Sequence, residues 1–182
     1  VRRQGVAFVT NDRKAEGLFL GRSVGENLTA TQLGSVSRRG LLSPRRERER
    51  AIRLAGEAGV DTSRLENPVG LLSGGNQQKT LVGRYLLGSD VTVLLVDEPT
   101  RGVDIGGRAA IHRLLVSAAQ DGLVVIFATS DLEELLELAM TVITMRAGRI
   151  VGVYPEGVSR QAMLADLTHR TDADLAAMPE PA

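Results

Sequence analysis

The chain has 182 residues, enough for one ordinary domain with a single buried core. Its 22 basic and 22 acidic side chains cancel to a formal net charge of zero, so no global field draws it toward nucleic acid or anionic lipid. It contains no cysteine, which excludes disulfides and thiolate metal sites and fits a reducing compartment.

No apolar run approaches the roughly 18 to 20 residues that span a bilayer, so the chain is expected to be soluble. The start, VRRQGVAFVT, is too short in its apolar part for a signal peptide. Because it opens on Val and enters a strand-like run almost at once, the sequence reads as a fragment. The run VAFVT at 6–10, rich in β-branched and aromatic residues, predicts a buried strand running into the polar loop NDRK. From Pro44 onward, apolar residues at Ala51, Leu54, Ala55 and Ala58 follow the i, i+3, i+4, i+7 spacing of a helix with one buried stripe. The run RRERER within it reads as that helix's solvated first turns, ahead of the alternative of a nucleic-acid-binding patch. After Ser73, Val82, Tyr85 and Leu86 fall at helical spacing, with Gly88 as the expected stop.

Further on, VTVLLV at 91–96 and LVVIFA at 123–128 predict fully apolar strands. They alternate with helices marked by Ile111, Leu114, Leu115 and Ala118, and by Leu132, Leu135, Leu136 and Ala139. Apolar strands alternating with helices argue for a parallel sheet covered on both faces. TVITMRAGRIVGVY differs, with two strand-like runs flanking Ala147 and Gly148 as in a tight hairpin. A last helix is expected from Ser159, and the tail DLAAMPEPA has little to bury.

Two stretches carry chemistry. In VTVLLVDEP an apolar strand delivers Asp97 and Glu98 to the carboxyl edge of a parallel sheet, where ligands of such folds bind. Asp97 is placed to hold Mg²⁺, directly or through water, and Glu98 to orient or deprotonate an attacking water. Alone, an acidic, proline-stopped turn after a strand is commonplace. In LLSGGNQQK, Ser73 is a good N-cap, and Gly74 and Gly75 let backbone N–H groups approach an anion at the positive end of a helix dipole. Alone, that segment reads as a plain capped helix with a flexible entrance.

Together, LSGGNQQK, the strand closing in DEP and the following TRGVD resemble the ATP-binding subunits of ABC transporters, in which they are the signature motif, the Walker B strand and the D-loop. With NDRKAEGLFLGRSVGENL and DEPTRGVDIG, the chain looks most like the second ATP-binding half of the fused, two-half ATPases of ribose, galactose and xylose importers. The resemblance implies an α/β fold, a partial P-loop NTPase (ABC ATPase) with a parallel sheet, flanking helices and a helical signature subdomain over about 20–88. It places the nucleotide-binding domain at 1–170 and a flexible tail at 171–182. No GxxxxGK[ST] phosphate loop occurs in the sequence, and on this reading the loop lies before Val1.

The resemblance further implies ATP and Mg²⁺ as cofactors and a head-to-tail partner domain. Ser73, Gly74, Gly75 and Gln78 would then touch a nucleotide held by that partner, and Asp104 would be the D-loop acid at the dimer interface. Asp97 and Asn11 would serve the metal, and Glu98 hydrolysis. Relatives usually carry an acid or Gln where Asn11 stands, and Asn11 is one methylene shorter than Gln. Ser130, in ATSDLEE, takes the place where most ABC ATPases keep a histidine on the γ-phosphate. Neither His112 nor His169 is expected to be catalytic. The implied setting is the cytoplasmic face of a membrane, beside permease subunits that a sugar-binding protein serves, with no nucleic acid. The rival readings are a non-catalytic module that only lends its signature motif, and a soluble ABC ATPase of DNA repair or translation. The latter carries long coiled-coil insertions or basic arms, which this sequence does not.

Overall fold

The computed structural model describes residues 5–86 and 91–168, which divide into two compact units, Val1–Ala128 and Thr129–Ala182. In the first unit, strands β1 (Val6–Val9), β4 (Val93–Asp97) and β5 (Val124–Ala128) form a parallel sheet in the order β1-β4-β5. The register pairs Ala7 with Leu94 and Leu94 with Val125, and Val9 with Val96 and Val96 with Phe127. These six residues line one face, which packs into the core with Leu81, Ile111 and Leu115 from the helices α4 (Gly74–Leu86) and α5 (Ile105–Gln120).

The opposite face is open. Phe8, Val124 and Ile126 are 52%, 54% and 55% exposed, so β1 and β5 are half-buried strands and the expectation of cover on both faces does not hold among the described residues. The cause lies in the period-2 geometry of a strand: alternate residues point to opposite faces whatever their hydrophobicity.

The rest of the first unit is helical. A capping box starts α1 (Val24–Thr29): the Ser23 side chain accepts from the Glu26 N–H at 3.1 Å, and the Glu26 carboxylate accepts from the Ser23 N–H at 2.8 Å. A short α2 (Leu33–Val36) leads into an antiparallel hairpin of β2 (Ser37–Arg38) and β3 (Leu41–Leu42) that the sequence reading missed. The predicted charged helix is α3 (Pro44–Ala58). Pro stands in its first turn, Ala51, Leu54, Ala55 and Ala58 are buried, and Gly59 ends it at φ 65°. Helices α1, α3 and α4 pack on one another.

Arg84 of α4 is buried among them without a carboxylate among its described hydrogen bonds. It donates to the Asn27 carbonyl at 2.7 Å, the Asn27 side-chain oxygen at 2.7 Å and the Gly17 carbonyl at 2.6 Å. Its guanidinium lies 5.6 Å from the Phe19 ring, and burial lowers its pKa. Gly88, the expected stop of α4, lies outside the described residues.

The second unit contains α6 (Leu132–Leu138), an antiparallel pair β6 (Thr141–Arg146) and β7 (Arg149–Pro155), and α7 (Arg160–Thr168). Arg146 pairs with Arg149 across a two-residue turn in which Ala147 and Gly148 have φ of 48° and 77°, as a tight hairpin of this length requires. The leucine stripe expected in α6 is only partly realised: Leu136 is exposed and Glu134 is buried. The residue that caps the last helix is Ser159, whose hydroxyl accepts from the Ala162 N–H at 3.2 Å. Among the described residues, no helix is long and apolar enough to cross a membrane.

Candidate functional site

The carboxyl edge of the first unit's sheet holds the acidic couple. Asp97 closes β4, and the chain then turns sharply, because Glu98 takes a φ of 49°. That left-handed conformation is costly for a residue with a Cβ and clusters at functional sites. Two backbone bonds hold it: the Glu98 N–H donates to the Ala128 carbonyl at 2.8 Å, and the Glu98 carbonyl accepts from the Arg101 N–H at 3.2 Å.

The loop after β1 brings Asn11 to the same place. Its side-chain N–H donates to Asp97 Oδ2 at 2.7 Å, so the shorter side chain reaches the aspartate, 86 positions away in sequence. Mg²⁺ takes hard oxygen ligands and shares one or two carboxylates with phosphate oxygens. The donor set fits such an ion: the Asn11 bond engages Oδ2, leaving Oδ1 of Asp97 and the amide oxygen of Asn11 as hard donors. No group of three or more His, Cys, Asp or Glu placed to hold a metal occurs among the described residues.

A second candidate surface lies at the start of α4. The Ser73 hydroxyl accepts from the Asn76 N–H at 3.5 Å, and the Ser73 carbonyl from the Gln77 N–H at 2.9 Å, so Ser73 caps the helix from an exposed position. The glycines that follow are in close contact with the turn after β4. A Cβ on Gly74 would lie 2.7 Å from the Gly102 carbonyl oxygen, and one on Gly107 would lie 2.6 Å from Val103 Cγ1 and 3.2 Å from the Gly75 Cα. Gly74 and Gly75 therefore have an intramolecular reason, the packing of α4 on the 102–107 segment.

Asp104 caps α5 by accepting from the Gly107 N–H at 2.8 Å, and its other oxygen would lie 3.6 Å from a Cβ on Gly75. Beside it, Ile105 is 90% exposed. Ser73, Gly74, Gly75 and Asp104 thus form one rim. Gln78 is 2% exposed, so a ligand arriving at this rim meets Ser73 and Gly74 first. Lys79 donates to the Gly59 carbonyl at 2.6 Å, at the end of α3. Burial holds its ammonium below the ordinary value, against the pull of Asp104.

Ser130 lies in the second unit, exposed in the turn before α6. Its neighbour Asp131 caps that helix, accepting from the N–H groups of Glu133 and Glu134 at 2.9 and 3.2 Å. His112 is buried within α5, and His169 lies outside the described residues.

Sequence reasoning missed Arg13 and Gln77. Arg13 donates to the Arg101 carbonyl at 2.7 Å, the Gly102 carbonyl at 3.2 Å and the Gln77 side-chain oxygen at 3.3 Å. Neither residue stands in a pattern that marks a partner, since these contacts join segments far apart in the chain.

No family model matches the chain. It is 39% identical over 170 residues to ribose import ATP-binding protein RbsA 2 of Streptomyces avermitilis, covering 93% of this chain and 34% of that protein. It is 42% identical over 148 residues to a putative ribose/galactose/methyl galactoside import ATP-binding protein of Rhizobium etli, covering 81% of this chain and 28% of that protein. The chain thus spans about a third of the length of the first of these curated relatives. Among solved structures, a putative metal-chelate type ABC transporter in an inward-facing conformation aligns with a TM-score of 0.73 at 18% identity, over 91% of this chain and 64% of that one. A dimeric bacterial ABC transporter cassette aligns with a TM-score of 0.66 at 23% identity, over 81% of this chain and 61% of that one.

Proposed function

We propose that this chain, a homologue of ribose-import ATP-binding proteins with the fold of an ABC ATPase cassette, is the second ATP-binding half of an ATPase that energises monosaccharide uptake. The whole protein would sit at the cytoplasmic face of a membrane, against permease subunits fed by a sugar-binding protein. The observation that carries this reading is the rim on which Ser73, Gly74 and Asp104 meet. Two motifs separated by all of α4 and β4 make one surface, and its exposed serine at the start of α4 supports a ligand held from the other side.

Two different nucleotides are then served. The start of α4 offers backbone N–H groups and the Ser73 hydroxyl to the terminal phosphate of an ATP carried by a partner cassette, where a helix N-terminus stabilises negative charge. Asp97 and Asn11 would hold Mg²⁺ in the chain's own site, completed by a phosphate loop from outside these residues; when bound, the ion neutralises charge on the transferring phosphoryl group. Glu98 accepts the proton of the attacking water or orients it, fixed by the two backbone bonds of its turn. Ser130, in the second unit, is proposed from the resemblance alone as a neutral hydrogen-bond donor to phosphate.

The purified chain, assayed for magnesium-dependent ATP turnover alone and with an intact partner domain, tests the reading. Turnover is expected only in the mixture and should fall about tenfold to a hundredfold with Ser73→Ala, the loss of one charge-assisted hydrogen bond. Turnover by the chain alone sinks the proposed dependence on a partner. A mixture indifferent to Ser73→Ala sinks the lending of the signature turn.

A further inference from the structure

We infer that Arg13 is a positioning residue that locks the Asn11 loop to the signature helix and to the turn after Glu98, so that the two nucleotide surfaces move as one body. The inference rests on the nucleotide reading above for its consequence in catalysis, but its geometry stands apart from that reading.

The network is built from carbonyls. Gly102 has a φ of 65°, a left-handed turn that glycine adopts at little cost. Around it, the successive carbonyls of Arg101 and Gly102 both accept from the two terminal nitrogens of Arg13, at 2.7 and 3.2 Å. The third donor, Nε, reaches Gln77 Oε1 at 3.3 Å. Gln77 has no choice of orientation: its amide nitrogen donates to the Val69, Gly70 and Leu72 carbonyls at 3.3, 3.3 and 3.2 Å, which turns its oxygen toward Arg13. Gly74 completes the contact, since a Cβ there would lie 2.8 Å from Arg13 Nη2.

Arg13 opens a single π turn, Arg13–Gly17, capped by Asp12, whose carboxylate accepts from the Ala15 N–H at 2.9 Å. Two residues upstream, Asn11 holds Asp97. A displacement of the 101–102 turn is therefore passed through the guanidinium to Asn11, and one of α4 through Gln77. A planar fork of donors makes these three bonds at once; a lysine ammonium, a point donor on a flexible stem, cannot.

The test uses the intact ATPase with its partner domain, in wild-type, Arg13→Ala and Arg13→Lys forms. Hydrogen exchange reports the lock itself. Arg13→Ala should speed exchange of the amides at 101–107 and 73–77 at least fivefold while the melting temperature moves little, and Arg13→Lys should fall between. Steady-state turnover against ATP concentration reports the consequence: kcat should drop at least tenfold in Arg13→Ala with KM changed less than threefold. Exchange that quickens only at 13–17 overturns the lock. Quickened exchange at both distant segments with kcat unchanged overturns the positioning role. An intact wild-type assembly without ATP turnover refutes the nucleotide reading, and the exchange measurement still decides the lock.

Discussion

At the carboxyl edge of the sheet, Asn11 and Asp97 meet through side chains, 2.7 Å apart, and the partners stand half open to solvent. At the seam between α4 and the 102–107 segment, backbone meets backbone, because Gly74, Gly75 and Gly107 have nothing beyond the Cα. The difference teaches where each surface is fragile. The edge depends on chemical identity, so an isosteric change there should spare the fold and, on the proposed function, remove the reaction. The seam depends on the absence of atoms, so a single methyl group should damage both.

The sharpest way to break the comparison is Glu98→Gln. It keeps the shape of the edge and, on the proposed function, should lower ATP turnover of the chain with its partner domain about 10²- to 10⁴-fold, the usual contribution of a positioned base, with an unchanged denaturation midpoint. A parallel loss of stability would show that the edge is structural as well. Gly74→Ala is the matching change at the seam. Its Cβ would meet the Gly102 carbonyl oxygen at 2.7 Å, a backbone atom that cannot swing aside, so urea denaturation should report a loss of about 1–3 kcal/mol, the range for overpacking. Turnover should fall with it; an unaffected variant would mean that the seam is slack.

Smaller effects sharpen the contrast with glycines and caps away from the site. Ser23→Ala removes one half of the capping box of α1 and should cost about 1 kcal/mol, measured by the same denaturation. The other half gives a pH signature. The Ser23 backbone N–H holds the Glu26 carboxyl below its ordinary value of 4.5. A carboxyl depressed on folding stabilises above its unfolded value and loses that contribution as pH falls through the depressed one. Stability should therefore decline on acidification below about 4.5, and Glu26→Gln should flatten that part of the curve. Least of all, and opposite in sign, Gly56→Ala on the exposed side of α3 has nothing within 4 Å of the new Cβ. It should stabilise by about 0.5–1 kcal/mol, the helix-propensity difference.

Local patterns were legible where the cause was local. Helix α3 is visible in the spacing of Ala51, Leu54, Ala55 and Ala58, and the turn at Ala147–Gly148 in its glycine, because burial of one stripe and a positive φ leave marks within a few residues. Of the candidate site, LSGGNQQK and DEPTRGVD could be read as motifs. The hairpin at Ser37–Leu42 could not, since strands of two residues carry no periodicity. Likewise Leu132, Leu135 and Leu136 promised a buried stripe, yet which side of so short a helix is covered depends on its neighbours, and Glu134 is the buried residue.

By itself, then, the order of residues determined the helix and strand periods, the capped glycine turn at Ser73 and the delivery of Asp97 and Glu98 to a strand end. Only the tertiary structure decided that Asn11 holds Asp97, that Arg13 joins Gln77 to the 101–102 turn, that Gly74 and Gly75 fit against the 102–107 segment, and that Phe8, Val124 and Ile126 stay exposed. The physical reason is range. Dihedral preference and amphipathic spacing act over a few positions, whereas a hydrogen bond or a close backbone approach between residues tens of positions apart exists only once the chain has folded around it.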